Sequence, residues 1–303
     1  MEHKKLKSVC LKFYQEYPNA GDQFSFALAK RYFSENVIPS TISTLTVPNL
    51  ILVGSYLIKS DAYSHICGAG FIATDPSWFQ LSTAPKSIHC VRGPLTAELL
   101  EKQGIHCPKI YADPGILAPE LYPRKNPAHN KVGIIPHFLD TNLPWINSCR
   151  NRGIPIIDVL SPLDSYFSDI HRCEIILSSS LHGIIFANAY GIPALWIELS
   201  DNVIGAGFKF YDYYLSIGVK PEKVHRIRVA EDTDPYEIAK LATIGDQSKL
   251  MAPLKEAMFS TIRQLRRDQM NAGVKNILMP LNFHNRKKIV KKLNRYFKNS
   301  KKQ

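Results

Sequence analysis

Short apolar runs ending in glycine or a polar pair, each followed by a stretch with helical spacing, recur along almost the whole chain. Ser8 to Tyr14 (SVCLKFY) predicts a first strand. After the loop Gln15 to Asp22, the segment FSFALAKRYF has the spacing of a helix, with Asp22 where an N-cap belongs. LILVG, ICGAGFIA and IHCVR predict buried parallel strands. The last runs into Gly93, Pro94 and LTAELLEKQG, a helix marked by proline at its first position and Gly104 just past its end. PKIYA predicts one more strand, stopped by Asp113-Pro114-Gly115.

Proline, asparagine and charge concentrate between Pro119 and Asn130, which places a domain boundary there. Beyond it KVGIIPH, IPIIDVL, IILSSS and PALWIEL read as strands, and LDSYFSDIHRC, LHGIIFANAYG and GFKFYDYYLSIG as helices. Asp234-Pro235 opens another helix, and a long one runs from about Met251 to Ala272. Alternating strand and helix implies parallel sheets with right-handed crossovers. The expectation is an α/β protein of two Rossmann-like doubly wound domains, residues 1–125 and 126–270, followed by a basic tail over 271–303.

The chain has 303 residues, 45% of them apolar and 21% charged, close to the globular average. That excludes wholesale disorder and coiled-coil or collagen-like architectures. The net charge of +12 suggests a nucleic-acid binder until its placement is read. From Arg286 to Lys302 nine basic residues occur with no acid among them, and the remainder carries only +3. The basic signal is thus a tail, which can meet an anionic membrane surface, nucleic acid or solvent. No nucleic-acid role is expected of the body.

Six cysteines are scattered with no C-x-x-C pair and no cluster at zinc spacing, as in a protein of a reducing compartment. No apolar stretch of signal-peptide length precedes Lys12, so the expected location is cytoplasmic. The longest uncharged stretch, Ile175 to Ile197, contains His182, Asn188 and Pro193 and reads as a buried α/β segment rather than a membrane span.

In open α/β sheets ligands bind beyond the carboxyl ends of strands, where helix N-termini offer N–H groups to anions. Three such junctions carry polar residues: Asn19 to Asp22, Val91 to Pro94, and Ser178-Ser179-Ser180-Leu181-His182-Gly183. At the third, hydroxyls and an imidazole meet at a helix start; they bind phosphate and move a proton, or they cap the helix and His182 packs as a core histidine. Arg92 ends an apolar strand, where it grips an anion in a cleft or a helix carboxylate such as Glu98. Asp22 and Asp113 have capping or turn roles open to them besides catalysis. His137 ends the first strand past the boundary, as a cleft residue or an ordinary turn histidine. Asp232-Thr233-Asp234 resembles a metal-binding Asp-x-Asp, but the following Pro235 makes N-capping sufficient. Walker, dinucleotide-fingerprint, nucleophile-elbow and zincin motifs do not occur.

At these junctions the chain resembles the polysaccharide pyruvyl transferase family, especially its exopolysaccharide ketal-pyruvate branch. The matching pieces, collinear from about Tyr14 to Gly218, are NAGDQ, LVGS, GAGF, VRGPLTAELLEKQGI, YADPGILAPELY, VGIIPHFLD and SSSLHGIIFANAYGIPALWIE. The resemblance implies transfer of a pyruvyl group from phosphoenolpyruvate to two sugar hydroxyls, on a fold like the glycosyltransferase B architecture with its site in the interdomain cleft. No cofactor or metal is implied. The implied partners are the donor and a sugar or lipid-linked glycan, with the tail available for peripheral contact at the inner face of the plasma membrane.

By position, His182 resembles the family's general acid, and Arg92 with Thr96 the family's R-[DG]-x-x-[ST] helix start. The expected site is therefore His182, Asp22 and Asp113 as catalytic groups, with Arg92, Ser178, Ser179, Ser180, Gly183 and His137 on the donor. Two departures stand out. Ser180 occupies a place where many relatives have arginine, and GAGF replaces the more usual Gly-Ser-Gly at Ala69. A nucleotide-sugar glycosyltransferase of the same fold and a non-catalytic scaffold in glycan assembly are the rival readings.

Overall fold

The computed structural model describes residues 5–40, 46–125 and 127–271. The first half contributes β1 (Val9–Lys12), β2 (Val37–Ser40), β3 (Asn49–Ile51), β4 (Ser64–Cys67) and β5 (Ser87–Cys90). Its connections hold α1 (Ala20–Tyr32), α2 (Pro76–Phe79), α3 (Pro94–Glu101) and α4 (Ala118–Leu121). The second half contributes β6 (Asn130–Ile135), β7 (Cys173–Ser178), β8 (Ala194–Glu198) and β9 (Arg226–Arg228). Around them lie α5 (Pro144–Asn151), α6 (Leu163–His171), α7 (Leu181–Ala189), α8 (Phe208–Ser216), α9 (Pro235–Ala239) and the long α10 (Ser248–Asn271).

All pairings between these strands are parallel, in the orders β2-β1-β3-β4-β5 and β6-β7-β8-β9. The class is α/β with parallel sheets, as the alternation predicts. In the first sheet the order reverses between β1 and β3, which opens a crevice at their carboxyl ends. One buried apolar cluster joins the halves, with Phe24 of α1 edge-on to Phe167 of α6 and Phe186 of α7. Helix α10 comes back from the second half to pack on β4 and β5. At its end Gln269 Nε2 donates to the Ser8 carbonyl at 2.9 Å.

Several expectations need correction. PKIYA and IPIIDVL do not form strands; each makes a single bridge, Val91 with Tyr111 and Ile134 with Ile156. Pro155 lacks the N–H a ladder needs, and the segment exchanges only Ile134 N to Pro155 O and Ile157 N to Ile134 O with β6. Strands β2 and β9 went unread because both are edge strands, where proline (Pro39) and charge (Arg226, Arg228) are tolerated. The N-cap of α1 is Asn19, not Asp22: Asn19 Oδ1 accepts from Asp22 N at 3.2 Å. Asp22 therefore sits within the first turn of the helix, its carboxylate accepting from the Asn19 side chain rather than capping the helix.

All six cysteines are free thiols. Among the described residues no helix is long and apolar enough to cross a membrane. The basic tail lies outside the described residues.

Candidate active site

A cavity of about 320 Å³ opens where the connections leaving the carboxyl ends of both sheets meet, near the lower end of the range of about 300–1,000 Å³ usual for ligand pockets. Its polar wall comes from Asp22 of α1, Ser55 and Lys59 after β3, His137 after β6, Ser180 and His182 at the β7–α7 junction, and Lys209 of α8. Aromatic and aliphatic side chains form the mouth. Trp78 is 37% and Leu139 52% exposed there, and Tyr17 stacks on Phe138 with ring centroids 5.0 Å apart.

His182 is the second residue of α7 and its ring is nearly buried. Its Nε2 lies 3.6 Å from Asp113 Oδ2, an ion-pair approach longer than a hydrogen bond. Asp113 is wholly buried. Its Oδ1 caps the turn after it, accepting from Gly115 N at 2.8 Å, while Oδ2 has no hydrogen bond among the described residues. The carboxylate thus backs the imidazole instead of facing the cavity. On the other side the ring sits against Gly21, where a Cβ would stand 2.0 Å from His182 Nδ1. A glycine in the first turn of α1 is what lets the imidazole lie there.

Asp22 lines the cavity beside this ring. Burial pushes its carboxyl up to about 6, against the pull of His182, the Asn19 amide and Lys209. The Asn19 Nδ2 group donates to Asp22 Oδ2. His137 is half-buried in the opposite wall, and burial, with the Lys209 charge adding to it, brings its imidazole down to about 4. It is therefore neutral at physiological pH, and its Nδ1 accepts from Leu139 N at 3.4 Å.

The serines divide by role. Ser178 Oγ has one proton for two main-chain carbonyls within reach, Ile135 (3.0 Å) and Ser180 (2.8 Å), and accepts from Ser180 N (3.0 Å), so it is consumed in shaping the turn. Gly183 leaves room for that hydroxyl, since a Cβ would stand 2.3 Å from Ser178 Oγ. Ser179 Oγ accepts from His137 N at 2.8 Å and ties the two loops together. Ser180 is the N-cap of α7 yet makes no side-chain cap bond, and it faces the cavity.

Arg92 is fully buried and does not line the cavity. Its Nε donates to Asp212 Oδ2 at 2.9 Å, one Nη donates to Ser55 Oγ at 2.8 Å, and the other to the Phe71 carbonyl. The helix carboxylate it meets is Asp212 of α8, not Glu98. The same carboxylate accepts from Thr96 N (3.0 Å) and Thr96 Oγ1 (2.7 Å). Asp212 thereby caps α3 from another helix, where the N-cap Gly93 has no side chain to do so. Arg92, Gly93 and Thr96 form a socket for α8.

Lys209 was not anticipated. It lies in the first turn of α8 and lines the cavity; burial first, then the neighbouring Arg92 charge, pulls its ammonium down to about 8, with Asp22 opposing. The signal in the sequence was a lysine at the start of an aromatic-rich helix, the end where the dipole disfavours a cation. Asp234 proves to be the N-cap of α9, accepting from Tyr236 N at 2.8 Å. Among the described residues no group of three or more His, Cys, Asp or Glu side chains converges as metal ligands do.

A parallel α/β protein whose cavity is lined by His137, His182, Asp22, Lys59 and Lys209, with Asp113 buried behind His182, has the groups that proton and anion chemistry needs. The family model for polysaccharide pyruvyl transferase matches residues 19–201, well over half of the chain and all of these junctions except α8. The chain belongs to the polysaccharide pyruvyl transferase family, and is a transferase acting on polysaccharide. It is similar to the uncharacterized protein L143 of Acanthamoeba polyphaga mimivirus, 28% identical over 86% of this chain and 93% of that protein. It is also 28% identical to the succinoglycan biosynthesis protein ExoV of Rhizobium meliloti (strain 1021), over 58% of this chain; the match spans 57% of that protein's length. Among solved structures, the functionally uncharacterized protein KP1_0663 from Klebsiella pneumoniae aligns over 69% of this chain and 88% of that one, at a TM-score of 0.40 and 12% identity.

Proposed function

We propose that the protein transfers a pyruvyl group from phosphoenolpyruvate to two hydroxyls of a sugar in a surface polysaccharide or exopolysaccharide, forming a cyclic ketal. The observation that carries this reading is His182, presented to the cavity at the start of α7 with the buried Asp113 behind it. Similarity to a succinoglycan biosynthesis protein supports an exopolysaccharide acceptor.

In this mechanism protonated His182 gives its proton to the methylene carbon of the donor, leaving an oxocarbenium at the central carbon. The first sugar hydroxyl adds there, phosphate departs with its bridging oxygen, and the second hydroxyl closes the ring. Of the two hydroxyl protons, the first passes by way of Asp22 to the departing phosphate and the second restores His182. Asp22 is the base for the attacking hydroxyl, because it lines the cavity; Asp113 has no exposed surface and serves to hold the His182 ring. Ser180 and the N-terminus of α7 face the donor, and Ser178, Ser179, Gly183 and His137 shape the loops that carry them. The site is then a cleft between units 1–125 and 126–270, with transfer taking place in the cytoplasm.

The test is calorimetric titration of phosphoenolpyruvate, followed by NMR detection of ketal formation on a pyruvate-free oligosaccharide. Saturable donor binding and a ketal methyl signal lost in His182→Ala support the reading. Full transfer by His182→Ala overturns the proton-donor role, and binding of a nucleotide sugar in place of phosphoenolpyruvate overturns the donor.

A further inference from the structure

Phosphoenolpyruvate brings a phosphate and a carboxylate into the cavity, yet Arg92 is closed off from it by Asp212, Ser55 and the Phe71 carbonyl. Two lysines do line the cavity: Lys59, which is exposed, and Lys209, which is half-buried. The latter occupies the first turn of α8, a turn without an acidic residue, where the helix dipole opposes positive charge. Its Nζ forms no ion pair or hydrogen bond among the described residues, the Asp22 charge offsets only part of its burial, and it lies 5.8 Å from the centroid of the Phe210 ring. A half-buried ammonium left this way costs free energy that a bound anion would recover.

Its position is also fixed from behind. Asp212, one helical turn further along α8, is held by Arg92, Thr96 N and Thr96 Oγ1, so the helix that carries Lys209 is fastened to the start of α3. We propose that Lys209 binds the phosphate of phosphoenolpyruvate as a point charge, in the cavity that Ser180 and His182 also line, and that the buried Arg92–Asp212 pair is the positioning element for it. The inference rests on phosphoenolpyruvate being the donor. It gives Arg92 an indirect part in donor binding and makes Lys209 the direct one.

The experiment titrates phosphoenolpyruvate, orthophosphate and pyruvate into the wild type, Lys209→Met and Lys209→Arg. Acetylation of Lys209 in the wild type is mapped by mass spectrometry with and without orthophosphate, using exposed Lys131 as the internal reference. Lys209→Met should weaken phosphoenolpyruvate and orthophosphate roughly 10- to 100-fold and leave pyruvate unchanged, the size expected for one charged hydrogen bond. Lys209→Arg should recover most of the loss, and orthophosphate should protect Lys209 but not Lys131. Equal phosphoenolpyruvate binding by wild type and Lys209→Met, or no protection, overturns the role of Lys209 while the donor stands. Loss confined to pyruvate overturns the phosphate assignment. A wild type that binds no phosphoenolpyruvate overturns the donor, and this inference falls with it.

Discussion

The imidazole of His182 fills the space in which residue 21 would carry a side chain, its Nδ1 only 2.0 Å from where a Cβ on Gly21 would sit. Gly21→Ala must therefore swing the ring off its seat, although alanine is the better helix former by about 0.5–1 kcal/mol. The expected result is a thermal midpoint equal to or above that of the wild type, with kcat for pyruvyl transfer down on the order of 100-fold. Unchanged turnover would show that the ring's seat on α1 does not matter to the chemistry.

Removing Asp212 leaves the Arg92 guanidinium buried without its carboxylate and strips the start of α3 of its cap. Asp212→Ala should lower the free energy of unfolding by about 3–5 kcal/mol, read from urea denaturation. Glu98→Ala, at the residue that the sequence offered as partner, should change it by no more than about 0.5 kcal/mol.

The Asp22 carboxyl is raised to about 6 in the folded protein, from 3.8 in the unfolded chain. Between those values the unfolded state loses its proton first, so this group subtracts stability as pH rises from about 4 to 6 and nothing further above that. A displacement of about two units corresponds to roughly 3 kcal/mol. Asp22→Asn should therefore be more stable than the wild type at pH 7, by an amount that shrinks towards pH 4. The same variant should transfer pyruvyl groups poorly, and wild-type kcat should rise with pH through about 6 as the base ionises. Urea denaturation and initial rates at matched pH values check both.

Trp78 lines the cavity and is partly exposed, which on the proposed reading puts it on the path of an acceptor glycan. Trp78→Ala should raise KM for the acceptor about tenfold, equivalent to about 1.4 kcal/mol, and leave the phosphoenolpyruvate Kd where it was. A change in donor affinity of the same size would move Trp78 from the acceptor side to the donor side.

Elements with a strong period and an explicit stop were legible: α3 from Pro94 to Gly104, and the apolar β7 and β8 with α7 between them. The edge strands were not, because β2 contains Pro39, which argues against a strand, and β9 has three residues with a single apolar one, Ile227 between Arg226 and Arg228, too short for its alternation to stand out. In the site, His182, Asp22 and Ser180 announced themselves as polar residues at strand ends, and they meet in the cavity. Arg92 was visible for the same reason, but its partner lies 120 residues away in sequence, and no local pattern links Val91-Arg92-Gly93 to Asp212. Lys209 escaped because a single lysine in an amphipathic helix ordinarily faces solvent.

Lys209 and Asp212 are one turn apart on a single short rod, so whatever is bound at one end of that face is felt at the other. On the proposed reading, an anion held by Lys209 would load the same helix that Asp212 fastens to α3. A donor at a hundred times its Kd would add about 2.7 kcal/mol to the cohesion of the folded chain. Under that reading the substrate would serve as a temporary structural member, and the loaded enzyme should unfold at a higher temperature than the empty one.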